Sequence, residues 1–263
     1  MTMISPKAIV MNPEALADDV QVGPFAFIGP EVIVEAGTVI DNNVTVTGKT
    51  RIGRSCRLLP GCIVGCEPAG AYEAGGSCTI GPGNTIREHV IIESGSADGA
   101  GTKLGANNLL MVGCCVARDA DLAGEGIFAN FTRIGHHARI EKYVRTSGFT
   151  SIAPYATVGA YTFTTGYSGI DRDAPPYAIV QGFPFRVRNA NKENLRRCGF
   201  DPKAIDALKK AFRMIFNGAS AFPVSEQLRL AEQTFDDEHV AELIASLRQS
   251  AASPTGKRLQ PSK

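Results

Sequence analysis

The fold is decided by a stretch that reads VGPFAFIGPEVIVEAGTVIDNNVTV from Val22 to Val46. An aliphatic anchor returns there at every sixth position, and a small or β-branched residue stands four places after each anchor. A period of six matches neither the helical period of about 3.6 residues nor the alternation of a single strand. Working outward, the anchors are Ile4, Val10, Leu16, Val22, Ile28, Val34, Ile40, Val46, Ile52, Leu58 and Val64, then Ile80, Ile86 and Ile92, then Leu104, Leu110, Val116, Leu122, Phe128, Ile134, Ile140, Thr146, Ile152, Val158, Thr164 and Ile170.

A six-residue repeat of this kind predicts a parallel β-helix, whose coils stack so that the anchors line one continuous core. Three repeats per coil would place residues 18 apart on neighbouring coils, roughly 4.8 Å from each other. The repeat is interrupted by a Gly-rich segment after Val64 and by a gap from Glu93 to Lys103. A β-sandwich with chance spacing is the alternative, but 26 anchors in three phased blocks argue against it.

Composition excludes several classes of protein. The 263 residues carry 27 Lys and Arg against 26 Asp and Glu, and this balance argues against a general binder of nucleic acid. No run of about 18 apolar residues occurs, so no membrane-spanning helix is expected. The N-terminus lacks the features of a secretory signal, and the seven cysteines lack zinc-like spacing. We therefore expect a cytoplasmic protein with reduced thiols and no metal site.

The repeat stops at 171–177, where two prolines would break any β-ladder. A helical pattern follows: Asp201 is suited to cap a helix with Pro202 in its first turn. Apolar residues then recur at helical spacing until Asn217-Gly218, where the helix should end. We expect further helices from Ser225 and from Asp236-Asp237-Glu238. The predicted organisation is a β-helix over 1–185, a helical C-terminal domain over 186–250 and a disordered tail over 251–263.

This layout resembles the bacterial UDP-N-acetylglucosamine O-acyltransferases that use acyl carrier protein and begin lipid A assembly. The resemblance implies an all-β left-handed parallel β-helix with a C-terminal α-helical domain, a homotrimer and active sites between subunits. It also implies transfer of a 3-hydroxyacyl group to a sugar hydroxyl, with a thioester of acyl carrier protein or coenzyme A as donor and no metal. The segments that carry the resemblance are Asn84–Glu88, Asn107–Met111, Ser168–Asp171, Pro175–Tyr177, Gln181–Gly182 and Asn191–Phe200.

The chain departs from the family where its catalytic histidine should stand. Arg118 occupies that position, and arginine cannot act as a general base near neutral pH. Cys115 replaces a second histidine, and Ala153-Pro154 replaces a His-Gln pair. The nucleotide loop of the family matches Cys66–Glu73, which lacks its Asp and Lys. Retained matches are the site histidine His137 and the substrate-side residues Asn191, Arg197, Gly148, Gly166 and Gln181.

Another residue could supply the missing base. Adding 18 to Arg118 gives His136, and adding 18 to Asp119 gives His137. Because an Asp beside a His is the usual way to orient a general base, we predict His137 as the base, with His136 second. The alternative is that both histidines lie on a solvated turn. Cys115 is either a nucleophile or redox thiol, or a small outward residue of the solenoid wall.

The sequence thus favours an acyltransferase acting on a UDP-linked amino sugar with an altered base. Two alternatives remain: a catalytically silent homologue that binds nucleotide sugar or acyl carrier protein, and a short-chain acetyltransferase that uses coenzyme A. Acyl carrier proteins are acidic, so basic residues near the helical end predict their docking face, with a solvated helix face as the alternative. These residues are Arg186, Arg188, Lys192, Arg196, Arg197, Lys209, Lys210 and Arg213.

Overall fold

Three β-sheets form the body of the protein. The computed structural model describes residues 3–68, 75–216 and 225–260. Within these ranges the chain winds through an eleven-stranded, a nine-stranded and a seven-stranded sheet, and each of the seven coils from Gln21 to Val158 contributes one strand to each sheet. The strands of the repeat pair in parallel. This is the parallel β-helix that the six-residue period predicts.

The strands are short, as the hexad requires. In sheet order, the eleven-stranded sheet contains Met3–Ile4, Gln21–Val22, Val39–Ile40, Arg57–Leu58, Thr85–Ile86, Leu109–Leu110, Ile127–Phe128, Arg145–Thr146, Phe163–Thr164, Ala178–Gln181 and Arg186–Ala190. The nine-stranded sheet contains Ile9–Val10, Phe27–Ile28, Thr45–Val46, Ile63–Cys66, Ile91–Glu93, Cys115–Val116, Arg133–Ile134, Ser151–Ile152 and Gly169–Ile170. The seven-stranded sheet contains Ile33–Val34, Lys49–Ile52, Ser77–Ile80, Thr102–Ala106, Asp121–Gly124, Arg139–Ile140 and Thr157–Val158, and one 3-10 turn spans Pro13–Ala15.

The register follows the expected spacing of 18. Cys115 lies opposite Arg133, and Arg133 lies opposite Ser151. At the two interruptions the spacing grows: Ile63 pairs with Ile91, 28 residues away, and Ile91 pairs with Cys115, 24 residues away. Both insertions lie between a strand of the nine-stranded sheet and the next strand of the seven-stranded sheet. We call this edge of the solenoid the loop-bearing edge.

The anchors build the core, and the two exceptions to the apolar rule have a partner. Thr146 and Thr164 are buried at anchor positions. Their hydroxyl groups form hydrogen bonds with those of Thr132 and Thr150, at 2.8 and 2.9 Å. A buried hydroxyl that is hydrogen-bonded avoids most of the penalty of desolvation. Cys56, Cys62 and Cys114 each stand four residues after an anchor. They are buried and fill the core, as this position in the hexad indicates.

The turns at the three edges share one backbone conformation. Asp119, His137 and Tyr155 have φ angles of 56°, 55° and 62°, in the left-handed region that ordinary residues avoid. The same conformation occurs at other turns, for example at Tyr143 and Phe149 on the other two edges. It is therefore a property of the coil and does not by itself mark a functional site.

Within the described residues, a hairpin and four helices close the C-terminal end of the solenoid, and we call them the cap. The hairpin pairs Ala178–Gln181 with Arg186–Ala190 in antiparallel fashion, so the segment after 185 begins as a strand and not as a helix. Asp201 caps its helix by accepting a hydrogen bond from the Lys203 backbone, with proline in the first turn, as predicted. The helices are α1 (Lys192–Arg197), α2 (Pro202–Ile215), α3 (Ser225–Thr234) and α4 (Glu238–Ala252), of which α1 has no counterpart in the sequence prediction. The expected helix end at Asn217-Gly218 lies outside the described residues.

Residues 251–260, the described part of the tail for which we expect disorder, contact the body of the protein. Helix α4 continues to Ala252, and residues 253–260, which we call the C-terminal strap, pack on the last coils. Asp173 donates its backbone N–H to the Gly256 carbonyl (2.8 Å), and its carboxylate accepts the backbone N–H of Arg258 (3.0 Å). Polar composition favours disorder only where no partner exists, and here a buried carboxylate supplies one.

Candidate active site

The predicted catalytic residues come together at the loop-bearing edge. Arg118 and Asp119 lie on the turn after strand Cys115–Val116, and His136 and His137 lie on the turn one coil further along. The His137 backbone N–H donates to the Arg118 carbonyl at 3.1 Å, which fixes the two turns side by side. The spacing of 18 therefore brings four charged or titratable residues onto one edge.

Asp119 is almost fully buried and is already engaged by the second insertion. Its carboxylate accepts hydrogen bonds from the Ser96 hydroxyl (2.7 Å), the Ser96 backbone (3.1 Å) and the Gly101 backbone (3.1 Å). The distance from its Oδ2 to Nε2 of His137 is 3.8 Å, longer than a hydrogen bond. Asp119 thus holds segment 94–101 in place and acts on His137 through its charge.

Three rings pack together beside Asp119. His137 stacks on Tyr155 with centroids 4.8 Å apart, and His136 meets both rings edge-on at 5.3 and 5.2 Å. Tyr155 is a residue that the sequence analysis missed, although 137 plus 18 points to it. The stack fixes the plane of the His137 ring and leaves 31% of its side chain exposed. His137 is thus held in one orientation while it remains accessible to a ligand.

Burial keeps both imidazoles neutral near pH 7. Desolvation is the main cause that lowers the pKa of His136, with the positive charge of Arg118 second. Desolvation also lowers the pKa of His137, although the negative charge of Asp119 opposes it. A neutral imidazole can accept a proton, so both residues are competent as general bases. Nδ1 of His136 is buried and has no hydrogen-bond partner among the described residues.

Arg118 and Cys115 have roles other than proton abstraction. The Arg118 backbone N–H donates to the Glu93 carboxylate at 2.9 Å, and its side chain adds positive charge beside both histidines. Such a cation suits an anionic substrate group or a developing oxyanion. Burial, followed by the negative charge of Glu93, raises the pKa of the Cys115 thiol. The thiolate is therefore disfavoured, which argues against Cys115 as the nucleophile.

The predicted substrate-side residues lie elsewhere in the single chain. Gly148 and Gly166 stand above each other on the edge between the eleven- and nine-stranded sheets. Asn191 caps α1 and donates to the Tyr161 carbonyl (2.8 Å) on the edge between the seven- and eleven-stranded sheets. Each group therefore occupies a different edge from His137, and one protomer by itself does not bring them together.

Two further substrate-side residues are held by neighbours near the cap. Arg197 is exposed and forms an ion pair with Glu193 at 3.1 Å within α1. Gln181 lies at the end of the hairpin strand and accepts a hydrogen bond from Arg188 at 2.8 Å. An exposed ion pair of this type contributes little to stability, so both polar groups can exchange these partners for a ligand at small cost.

A groove crosses the outer face of the nine-stranded sheet, between the edge that carries Gly148 and Gly166 and the loop-bearing edge. We call it the sheet groove; its volume is about 550 Å³, and it is lined by Phe149, Ala153, Tyr167, Asp171, Phe183 and Lys257. Phe149 and Tyr167 belong to a column of stacked rings, 5.0 Å apart, and are 51% and 78% exposed. Tyr161 stacks in a different column, at the edge between the seven- and eleven-stranded sheets. The groove is thus a largely apolar surface that ends near the three rings.

Two further kinds of feature concern the described chain as a whole. There, no group of three or more His, Cys, Asp and Glu side chains is arranged to hold a metal ion. No helix in the described part of the chain is long and apolar enough to cross a membrane. The first half of the nucleotide-loop match, Cys66–Pro68, is described, whereas 69–73 lies outside the described residues.

A three-sided solenoid of hexads, closed at one end by helices, defines the class of hexapeptide-repeat β-helix proteins. Residues 173–255 match the family model described as UDP N-acetylglucosamine O-acyltransferase, domain 2. The chain is 37% identical over 214 residues to the acyl carrier protein-dependent UDP-N-acetylglucosamine O-acyltransferase of Thermodesulfovibrio yellowstonii, covering 80% of this chain and 83% of that protein. It therefore belongs to the UDP-N-acetylglucosamine O-acyltransferase family.

Two further relatives agree with this assignment. The Synechocystis enzyme of the same name is 39% identical over 181 residues, which cover 68% of this chain and 66% of that protein. The crystal structure of the UDP-N-acetylglucosamine acyltransferase from Bacteroides fragilis superposes with a TM-score of 0.85 at 29% identity, covering 94% of this chain and 97% of that one. The expected left-handed β-helix with a C-terminal helical part is thereby confirmed.

Proposed function

We propose that this protein transfers a (3-hydroxy)acyl group from acyl carrier protein to UDP-linked N-acetylglucosamine or a related amino sugar, in a pathway of the lipid A type. The observation that carries the proposal is the family match over most of the chain. Its relatives bear names that state this reaction. The donor is a thioester, so the reaction needs no separate cofactor.

Transfer requires a base, a donor for the oxyanion and a neutral nucleophile. In our proposal the neutral imidazole of His137 takes the proton from the sugar hydroxyl as its oxygen attacks the thioester carbonyl. Asp119 stabilises the resulting imidazolium through its charge at 3.8 Å. Arg118 and His136 face the oxyanion, and the proton then passes to the departing thiol of the carrier. Arg118 thus supplies charge stabilisation where the family places its base.

The distribution of the other site residues favours a homotrimer. Gly148, Gly166 and Asn191 lie on edges of the solenoid different from the one that holds His137. A three-sided column that packs with two copies of itself can bring unlike edges of neighbouring subunits into one cleft. We therefore propose three shared sites per trimer. Measurement of molar mass by light scattering tests this, and a monomer that retains full activity would contradict it.

We place the protein in the cytoplasm, where acyl carrier protein and UDP-sugars occur, and propose the basic side of the cap as the docking surface for the acidic carrier. Arg186 and Arg188 lie on the exposed hairpin strand at that end. Lys210 and Arg197 already pair with carboxylates at the surface and would contribute less. Charge reversal at Arg186 and Arg188 should raise the KM for the carrier and leave the KM for the nucleotide sugar unchanged.

Two observations favour a second candidate, a catalytically silent homologue that binds the same ligands. Arg118 stands at the position of the family base. The Asp119 carboxylate accepts hydrogen bonds from Ser96 and Gly101 and forms none with His137. A scaffold would tolerate both features. It has less need for two neutral, ring-stacked histidines on an exposed edge, and for this reason we favour the enzyme.

The test is a panel of 3-hydroxyacyl and short-chain acyl carrier proteins against UDP-N-acetylglucosamine and its 3-amino analogue, with acetyl coenzyme A as a further donor. Product formation is followed by mass spectrometry, and binding of each substrate by calorimetry. Turnover with acyl carrier protein is the expected result. Retained binding of both substrates without turnover in any pairing would establish the silent homologue instead, and turnover with coenzyme A alone would indicate an acetyltransferase.

A further inference from the structure

The C-terminal strap is fastened to the end of the solenoid at several points. Arg258 forms an ion pair with Glu141 at 2.8 Å, and both side chains are largely buried. The Nε of Arg258 also donates to the Thr157 hydroxyl (3.3 Å), and its Nη1 donates to the side-chain oxygen of Gln249 in α4 (2.8 Å). Together with the backbone bonds to Asp173, these contacts make the strap part of the folded body.

The strap delivers Lys257 to the sheet groove. The Lys257 backbone N–H donates to the Ser253 hydroxyl at 3.2 Å, and its neighbour Arg258 is the fastened residue described above. Lys257 then lines the groove together with Phe149 and Tyr167. Its positive charge is also among the causes that lower the pKa of His136. Lys257 therefore lies between the sheet groove and the three rings of the site.

Among the described residues that line this groove, Lys257 is the one cation. Asp171, the acid in the groove, pairs with Arg172 at 2.7 Å, and Arg258 pairs with Glu141. Within the described residues, no ion pair or hydrogen bond engages the Lys257 ammonium group. The net charge on this side of the groove is therefore positive.

We propose that Lys257, carried by the C-terminal strap, binds a phosphate group of a substrate at the mouth of the sheet groove. This inference rests on the proposed function, because both proposed substrates bring phosphate: the nucleotide sugar in its diphosphate and acyl carrier protein in its prosthetic arm. A lysine ammonium is a compact point charge with three donors, suited to phosphate oxygens. The match to the family model ends at residue 255, two residues before Lys257.

The neighbourhood of Lys257 agrees with a ligand that is anionic at one end and apolar at the other. The exposed rings of Phe149, Tyr167 and Phe183 give the groove apolar walls. Arg133 lies one coil below Ser151 on the same outer face and extends the positive charge along it. A free inorganic anion would use only the charge, whereas either proposed substrate would use both features.

Calorimetry with the full-length protein tests the contact. Lys257→Met keeps the aliphatic stem and removes the charge, Lys257→Arg keeps the charge, and Lys103→Met is the matched control on the outer face of the seven-stranded sheet, where Lys103 is exposed. Kd values are measured for UDP-N-acetylglucosamine and, separately, for holo acyl carrier protein. We expect Lys257→Met to weaken one of them roughly 10- to 150-fold, the range of a hydrogen bond to a charged group. Lys257→Arg should recover most of the affinity, and Lys103→Met should change neither Kd.

The ligand that loses affinity identifies the source of the phosphate. The loss should shrink in 0.5 M salt, conditions under which the Debye length falls to a few Å. If the unmodified protein binds both substrates and Lys257→Met binds them equally well, the phosphate contact is wrong while the proposed function stands. If the unmodified protein binds neither substrate, both proposals fall together.

A second measurement tests the position of Lys257 without any substrate. Removing a positive charge near His136 should raise the pKa of that imidazole, because the imidazolium form is then repelled less. NMR titration of the His136 ring in Lys257→Met should show this rise, and Lys257→Arg should not. An unchanged His136 titration in both variants would mean that the strap does not bring Lys257 to this edge, and the proposal would be overturned.

Discussion

Columns of stacked rings run along all three edges of the coils, and two of these edges differ in what covers the rings. At the edge between the seven- and eleven-stranded sheets, Tyr161 stacks between Tyr143 and Tyr177, and Phe200 of the cap closes over it at 4.8 Å. At the loop-bearing edge, His137 stacks on Tyr155 and remains partly exposed. The backbone turns are alike. The cover therefore decides which column is structural and which is available to a ligand.

Tyr177 illustrates the covered edge. It is 2% exposed, donates its hydroxyl to Glu242 of α4 and lies 3.3 Å from the His239 ring nitrogen. Burial and the hydrogen bond to Glu242 together raise its pKa far above the usual range, so it stays protonated. Polar groups at this edge join the cap to the solenoid. Polar groups at the loop-bearing edge instead face a groove and an exposed ring, and the following predictions test that division.

The largest effect is expected for His137→Gln. Loss of a general base lowers kcat by roughly 10²- to 10⁴-fold, whereas the structure of the turn should survive. His89→Gln is the matched control, because His89 has a similar left-handed turn conformation, with φ of 58°. Steady-state kinetics decides: equal rates in the two variants would remove His137 from the mechanism, and a large loss in His136→Gln alone would transfer the role to its neighbour.

The next largest effect is expected for Asp119→Asn. Its carboxylate accepts hydrogen bonds from the Ser96 and Gly101 backbones, so the change should lower the free energy of unfolding by about 1–3 kcal/mol. Amide hydrogen exchange should accelerate in segment 94–101. Asp121→Asn is the control, because Asp121 is two residues further along the chain, at an exposed strand position. Unchanged exchange with reduced kcat would mean that Asp119 serves His137 and not the loop.

Tyr177→Phe should destabilise the covered edge by roughly 1–2 kcal/mol, because Glu242 and His239 lose their hydroxyl partner. The same substitution at Tyr155, whose hydroxyl has no hydrogen bond in the described structure, should change stability by less than about 0.5 kcal/mol. Denaturant unfolding of both variants measures the contrast. Equal losses would mean that the two columns do not differ in the way proposed.

The smallest effect concerns pH. Because the folded pKa of His137 is lowered, mainly by desolvation, the neutral base persists on acidification, and kcat/KM should begin to fall only below the usual histidine value of about 6.5. Arg118 contributes to this lowering, so Arg118→Gln should move the acidic limb toward higher pH. A limb that moves toward lower pH, or a profile without an acidic limb, would contradict the assignment.

The site was predictable from sequence to the extent that the repeat governs it. The spacing of 18 placed His136 beside Arg118 and His137 beside Asp119, and it also points to Tyr155. It could not place Ser96 against Asp119, because Ser96 lies in an insertion, where the phase of the repeat is lost. The spacing also could not show that the Asp119 carboxylate forms hydrogen bonds with Ser96 and Gly101 and none with His137.

By itself, the sequence therefore determined the period, the register and the buried anchors of the column. It also determined that Asp201 caps α2. These are local rules, since each hexad repeats the same backbone geometry and meets a copy of itself on the next coil. Tertiary structure alone decided the covering of the edges, the fastening of the C-terminal strap and the groove that Lys257 enters. Those contacts join segments without a common period, so they depend on which surfaces fit together after the coils have formed.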